Sequence, residues 1–122
     1  MADNELKVIV KAKELAFHTI KITSNANRYP KKYRYSLVPK MQNKTLEIYE
    51  LLLEANRISN IKNKFDRCET ITKAITYCDE MLFYIELSMN LEILNSKSAE
   101  HWSKMVSDIK YMAIAWRTKE KE

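Results

Sequence analysis

The chain has 122 residues, enough for one domain with a single buried core. It holds no glycine and two prolines, which excludes the glycine-rich phosphate loop, the dinucleotide fingerprint and the nucleophile elbow. Its 21 basic and 16 acidic residues give a formal charge of +5, and that charge is sorted: Leu15 to Leu46 carry seven basic residues and no acid, while the other 90 residues sum to −2.

The first predicted helix covers 4–23. Val8, Ala12, Leu15, Thr19 and Ile22 recur in a 4-3-4-3 spacing, and Ile9, Ala16 and Ile20 broaden the face. Asp3 or Asn4 is the expected cap. The opening Met1-Ala2-Asp3-Asn4-Glu5 is acidic and has no apolar run, so no signal peptide is expected. No stretch approaches the roughly 18 consecutive apolar residues of a membrane span.

The periodicity stops over 24–35. Tyr29-Pro30 disfavours helix at Tyr29, because the proline ring crowds the residue before it. In this connection Arg28, Lys31, Lys32 and Arg34 alternate with Tyr29, Tyr33 and Tyr35. Lys40 and Lys44 follow one turn apart on the next helix and extend the patch. Cations of this density neutralise phosphates and release counterions, and tyrosines give unpaired bases a surface to stack on. The six basic residues are therefore the candidate nucleic-acid contacts, with the three tyrosines as aromatic support. No helix-turn-helix, zinc finger or RNP pattern accompanies them. The expected contact is to backbone and shape, in RNA or DNA. A solvated connection that only keeps the protein soluble is the plainer reading.

The second predicted helix covers 36–58. Ser36 is its expected cap, Pro39 falls in the first turn, and Met41, Thr45, Ile48, Leu52 and Ala55 form its apolar face. Ser59 and Asn60 end it. The third covers 62–92, with a seam of Cys68, Ile71, Ile75, Cys78, Leu82, Ile85 and Met89 and with Ile61 and Phe65 upstream. A second stripe, Ala74, Tyr77, Met81, Tyr84 and Ser88, runs beside the seam. Two readings of it stand: the wet edge of a wide core, or a subunit interface built on Tyr77, Met81 and Tyr84. The fourth covers 98–118, with Trp102, Met105, Ile109, Met112 and Trp116 facing inward, and the charged tail Arg117 to Glu122 is expected to fray. Four such helices joined by short links predict an all-α, antiparallel up-down-up-down four-helix bundle in a single domain over 1–122.

Little in the chain suggests catalysis. His18 and His101 are the two histidines, on different helices and without ligand spacing around either. No metal, cofactor or enzymatic activity is expected. Cys68 and Cys78, ten residues apart on one helix, are separated by about 15 Å along its axis, too far for a disulfide. Buried free thiols and the lack of an export signal point to the cytoplasm. Asp79, at the edge of the seam, is expected to be partly exposed or to meet a lysine or arginine across the bundle.

The stretch Arg28-Tyr29-Pro30-Lys31-Lys32-Tyr33-Arg34-Tyr35-Ser36-Leu37 resembles the accessory variability determinant proteins of diversity-generating retroelements. The matching features are the aromatic-Pro-Lys turn after the first helix, the basic and aromatic run into Leu37, and Trp116-Arg117 closing the last helix. The resemblance implies a barrel-shaped homopentamer of bundles with a positive surface and no catalytic activity of its own. It also implies binding to a reverse transcriptase and to template RNA or cDNA during mutagenic retrohoming. A related four-helix family is encoded by intervening sequences of large ribosomal RNA. Its second helix carries a Ser-Ile-x-x-Asn-Ile-Ala-Glu-Gly type stretch, whereas this chain reads Thr45-Leu46-Glu47-Ile48 there. That family is the alternative, as is a helical protein-interaction module with no nucleic-acid role.

Overall fold

The computed structural model describes residues 3–58 and 60–122, with side chains over 6–58 and 63–122. The expected cap at Asp3 or Asn4, the break at Ser59 and the Ile61 side chain lie outside what is described. The described residues form four helices, α1 (Asp3–Thr23), α2 (Leu37–Arg57), α3 (Asn60–Asn90) and α4 (Ser96–Lys121), with one turn of 3-10 helix at Lys31–Tyr33, and no strand. Each helix packs on the next in chain order, and α1 closes on α4.

Neighbouring helices run antiparallel, because the end of each meets the start of the next. Gln42 at the start of α2 reaches Thr23 at the end of α1. Ser88 near the end of α3 touches Met41 near the start of α2. Arg67 early in α3 meets Glu120 late in α4. The molecule is a four-helix bundle whose two ends are chemically different.

The 3.6-residue period explains the core. Val8, Ala12, Leu15 and Thr19 of α1, Met41, Thr45, Ile48, Leu52 and Ala55 of α2, and Trp102, Ile109 and Trp116 of α4 are all buried. On α3 the buried arc is centred between the two stripes: Ile71, Ala74, Cys78, Met81, Ile85 and Ser88 have no exposed surface, whereas Leu82 is half-buried and Met89 exposed. Contact with both α2 and α4 demands this wider arc. Phe65, two residues beyond a non-helical Asn63 (φ −133°, ψ 46°), lies outside the core at 74% exposure.

The links need no glycine. Pro39 is the third residue of α2, where its missing N–H would have no intrahelical partner. Ser36 precedes α2 without making a capping hydrogen bond. At the end of α3, Ile93 N donates to Ser88 O (2.9 Å) and Glu92 N to Met89 O (3.0 Å), closing a Schellman turn with Glu92 at φ 60°. Asn95 then caps α4, its side chain accepting from Ser98 N at 2.8 Å.

The expected fraying of the C-terminal tail is not what the structure has, since α4 continues to Lys121. Glu120 accepts from Trp116 Nε1 (3.0 Å) and pairs with Arg67 (3.4 Å), while Arg117 donates to Thr72 (3.2 Å). Among the described residues no helix is long and apolar enough to cross a membrane.

Candidate nucleic-acid interface

The connection between α1 and α2 folds against the end of the bundle. Asn25 Oδ1 accepts from Asn27 N (2.9 Å), and Asn25 O accepts from the backbone N–H groups of Arg28 and Tyr29, both at 2.9 Å. The asparagine side chain thus replaces the helical ladder with a turn. Pro30 then sits extended (φ −56°, ψ 149°) and opens the 3-10 turn, closed by Tyr33 N to Pro30 O (3.0 Å) and Arg34 N to Lys31 O (3.1 Å).

Tyr29 corrects one expectation. It is not a base-stacking platform, because it is 2% exposed. Its ring lies edge-on to Trp102, with centroids 6.4 Å apart, and its hydroxyl donates to Ser88 Oγ at 2.8 Å. A buried phenol needs such a partner, and Ser88 can accept because its own proton goes to Tyr84 O (2.8 Å). Burial pushes the Tyr29 phenol up to about 12. Nearby, Trp102 Nε1 donates to Thr19 Oγ1 at 3.1 Å. The connection is therefore pinned to α3 and α4 through one inward aromatic.

With Tyr29 turned in, Arg28, Lys31, Lys32, Arg34 and Lys40 are left exposed. Among the described residues no carboxylate lies within 4.0 Å of any of them. Tyr35 is 89% exposed and free to stack. Tyr33 is half-buried against the core, with Lys32 Nζ 5.2 Å from its ring centre.

Lys44 does not belong with them. Its ammonium lies 3.4 Å from Glu80 and 4.0 Å from Glu47, and 3.9 Å above the ring of Tyr77. Two carboxylates and an aromatic face already occupy the charge that a phosphate would need. Elsewhere on the surface Lys110 pairs with Asp79 (2.7 Å) and Lys104 with Asp108 (3.0 Å).

The second α3 stripe divides. Met81 is fully buried inside the bundle and offers no surface to another subunit, because α3 packs on two neighbours at once. Tyr77 and Tyr84 lie half-buried at the rim of the core. An exposed apolar stripe lies instead on α1, where Leu6, Val10, Phe17 and Ile20 are 48%, 49%, 66% and 37% exposed, so Ile20 does not broaden the inward face as its spacing predicts. Its 4-7-3 spacing is legible in sequence but was masked by the stronger inward face beside it.

The two histidines also meet, which their separate sequence contexts do not suggest. The Thr19–Trp102 bond joins α1 to α4, and the residue before each partner is a histidine. The rings of His18 and His101 stand 5.5 Å apart at 72°. Among the described residues, no cluster of three or more His, Cys, Asp or Glu side chains could hold a metal ion. Cys68 and Cys78 are buried free thiols, and burial pushes the Cys78 thiol up to about 12.

No protein-family model and no curated protein matches this sequence. A solved structure does resemble it: a protein of unknown function from the S23 ribosomal protein family of Bacteroides thetaiotaomicron superposes with a TM-score of 0.83. The match covers 94% of this chain and 98% of that one at 14% sequence identity, a likeness of fold alone.

Proposed function

We propose that this protein is a non-catalytic, cytoplasmic nucleic-acid-binding subunit that acts beside a reverse transcriptase, as in diversity-generating retroelements. The observation that carries the reading is the set of five exposed cations, Arg28, Lys31, Lys32, Arg34 and Lys40, with no carboxylate within 4.0 Å among the described residues. Lys104 and Lys110 spend their charge on Asp108 and Asp79, whereas these five leave their field for an external polyanion. A rigidly anchored connection suits backbone recognition, since little ordering entropy is lost on binding. Tyr35 supplies a stacking face for an unpaired base.

The reverse transcriptase as partner rests on the Tyr29-Pro30-Lys31 turn and the Trp116-Arg117 ending. The pentameric state rests on the same resemblance, and the exposed α1 stripe of Leu6, Val10, Phe17 and Ile20 is the surface we assign to subunit contact. The test is RNA binding by fluorescence anisotropy over a salt series. The logarithm of affinity should fall with log salt by about 0.7–0.9 per phosphate contact. A Lys31→Glu, Lys32→Glu, Arg34→Glu variant should lose binding and keep its helical circular dichroism. Unchanged affinity in that variant defeats the assignment.

A second reading is a ribosomal-RNA intervening-sequence protein, favoured by the fold of the S23-family neighbour. The same basic end would then face ribosomal RNA. Co-purification from the native cell separates the two, a reverse transcriptase supporting the first and ribosomal RNA fragments the second.

A further inference from the structure

Between α1 and the start of α4 lies an open cleft of about 450 Å³, inside the range of roughly 300–1,000 Å³ occupied by small-ligand sites. Its walls carry His18 and Lys21 from α1, Arg28 from the connection, and Lys97, Ser98 and His101 from α4. No carboxylate lines it. Among the described residues Lys21, Arg28 and Lys97 have no acidic partner within 4.0 Å. The nearest acids in sequence, Glu14 one turn before His18 and Glu100 beside His101, lie outside the walls.

Three further features bear on an anion here. Ser98 lies in the first turn of α4, where the helix dipole favours an anion and no acid is present, its own N–H being taken by the Asn95 cap. His18 Nε2 is buried and has no hydrogen-bond partner. The His18 imidazolium is disfavoured by burial first, then by His101, Lys21 and Arg28. An anion that balances the neighbouring cations removes their part of this effect and favours the protonated imidazole.

We propose that this cleft binds a phosphate monoester, with Lys21, Arg28 and Lys97 holding the dianion and the His18–His101 pair bordering it. A concave site with charge on three sides suits a terminal phosphate. A continuous strand would have to enter and leave it, and that role belongs to the outer face of Lys31, Lys32 and Arg34. The phosphate has two possible sources, a free nucleotide or the 5′ end of a nucleic acid. The proposal does not depend on backbone binding by the connection, although Arg28 borders both surfaces.

The chain has only two histidines, and both stand in the cleft, so imidazole NMR reads the site directly. Adding adenosine monophosphate should move both histidine resonances and shift the titration of His18 to higher pH, while adenosine should do neither. Lys97→Ala and His101→Ala change exposed residues and should each weaken binding about tenfold, as expected for losing a charge-assisted contact. The Lys31→Glu, Lys32→Glu, Arg34→Glu variant should bind the nucleotide with little change, which separates this site from the backbone contact. A 5′-phosphorylated oligonucleotide that outbinds its 5′-hydroxyl twin through Lys97 identifies a strand end as the source. Equal binding of the two oligonucleotides beside tight nucleotide binding identifies a free nucleotide. Unmoved histidine resonances with both ligands, or affinities unaffected by Lys97→Ala and His101→Ala, would overturn the proposal.

Discussion

The hydroxyl of Tyr29 donates to Ser88 Oγ across 2.8 Å, joining residues 59 positions apart in the chain. This bond ties the basic connection to the far end of α3 and sets which side chains of the connection face outward. Tyr29→Phe keeps the ring against Trp102 and removes only the hydroxyl. The expected loss is about 1 kcal/mol, or a fall in Tm of about 4 °C for a domain of this size. Thermal unfolding followed by circular dichroism measures it, and an unchanged midpoint would mean the bond contributes nothing.

Stability should fall in alkali. Tyr29 and Cys78 are acids whose neutral forms the folded state favours, each pushed up to about 12 from ordinary values of 10.0 and 9.0. The unfolded chain releases these protons first and so gains on the folded state as pH rises. The contribution is fully present below the ordinary value of each group and is lost as pH climbs toward about 12. Urea midpoints taken at increasing pH should decline, with a shallower decline in Tyr29→Phe and in Cys78→Ala. Parallel slopes in all three proteins would contradict this.

Lys40 and Lys44, one turn apart on α2, should respond differently to alanine. Lys40 is exposed with no acidic partner within 4.0 Å, so Lys40→Ala should lower the salt dependence of RNA binding by about one phosphate contact. Lys44 is engaged by Glu80, Glu47 and Tyr77, so Lys44→Ala should leave RNA affinity near its starting value. It should cost up to about 1 kcal/mol of stability. A salt series on both variants, with matched unfolding curves, checks the contrast.

That contrast marks what sequence can and cannot tell. Helix spacing is a local property, so most of the inward faces of α1, α2 and α4 follow from apolar recurrence, although Ile20 is exposed and Val106 and Ala113 lie deeper than Met105 and Met112. The position of α3 does not, because its two stripes look alike until α2 and α4 decide which arc they cover; Met81 therefore reads as surface and proves to be core. Charge sorting is equally visible, yet the partners of each charge are not. Glu80 is 36 residues from Lys44, and only packing brings them together. Tyr29 was legible as part of an aromatic-proline turn, but its direction depends on Ser88 and Trp102, both distant in sequence. The meeting of His18 with His101 has no local signature at all.

The opposite end of the bundle depends on Glu120, which accepts from Trp116 Nε1 and pairs with Arg67, whose guanidinium carbon also lies 5.1 Å from the Trp116 ring centre. Both members of the ion pair are nearly covered, at 11% and 10% side-chain exposure. Glu120→Gln keeps the shape and removes the charge. The expected cost is about 1–3 kcal/mol, with increased amide exchange in the last turns of α4. Native-state hydrogen exchange resolves this, and exchange identical to that of the parent protein would refute it.

Glu92 carries the one positive φ among the described residues, in a sequence with no glycine to take that role. A side chain in this conformation crowds the following carbonyl, at a cost of about 1–2 kcal/mol. Glu92→Gly would relieve the strain while giving the unfolded chain more freedom, and the two effects oppose each other. The balance should favour glycine by about 0.5–1 kcal/mol, read as a higher urea midpoint, and a lower midpoint would refute it. The hairpin joining the last two helices is thus a reserve of thermal robustness that a single engineered codon can unlock.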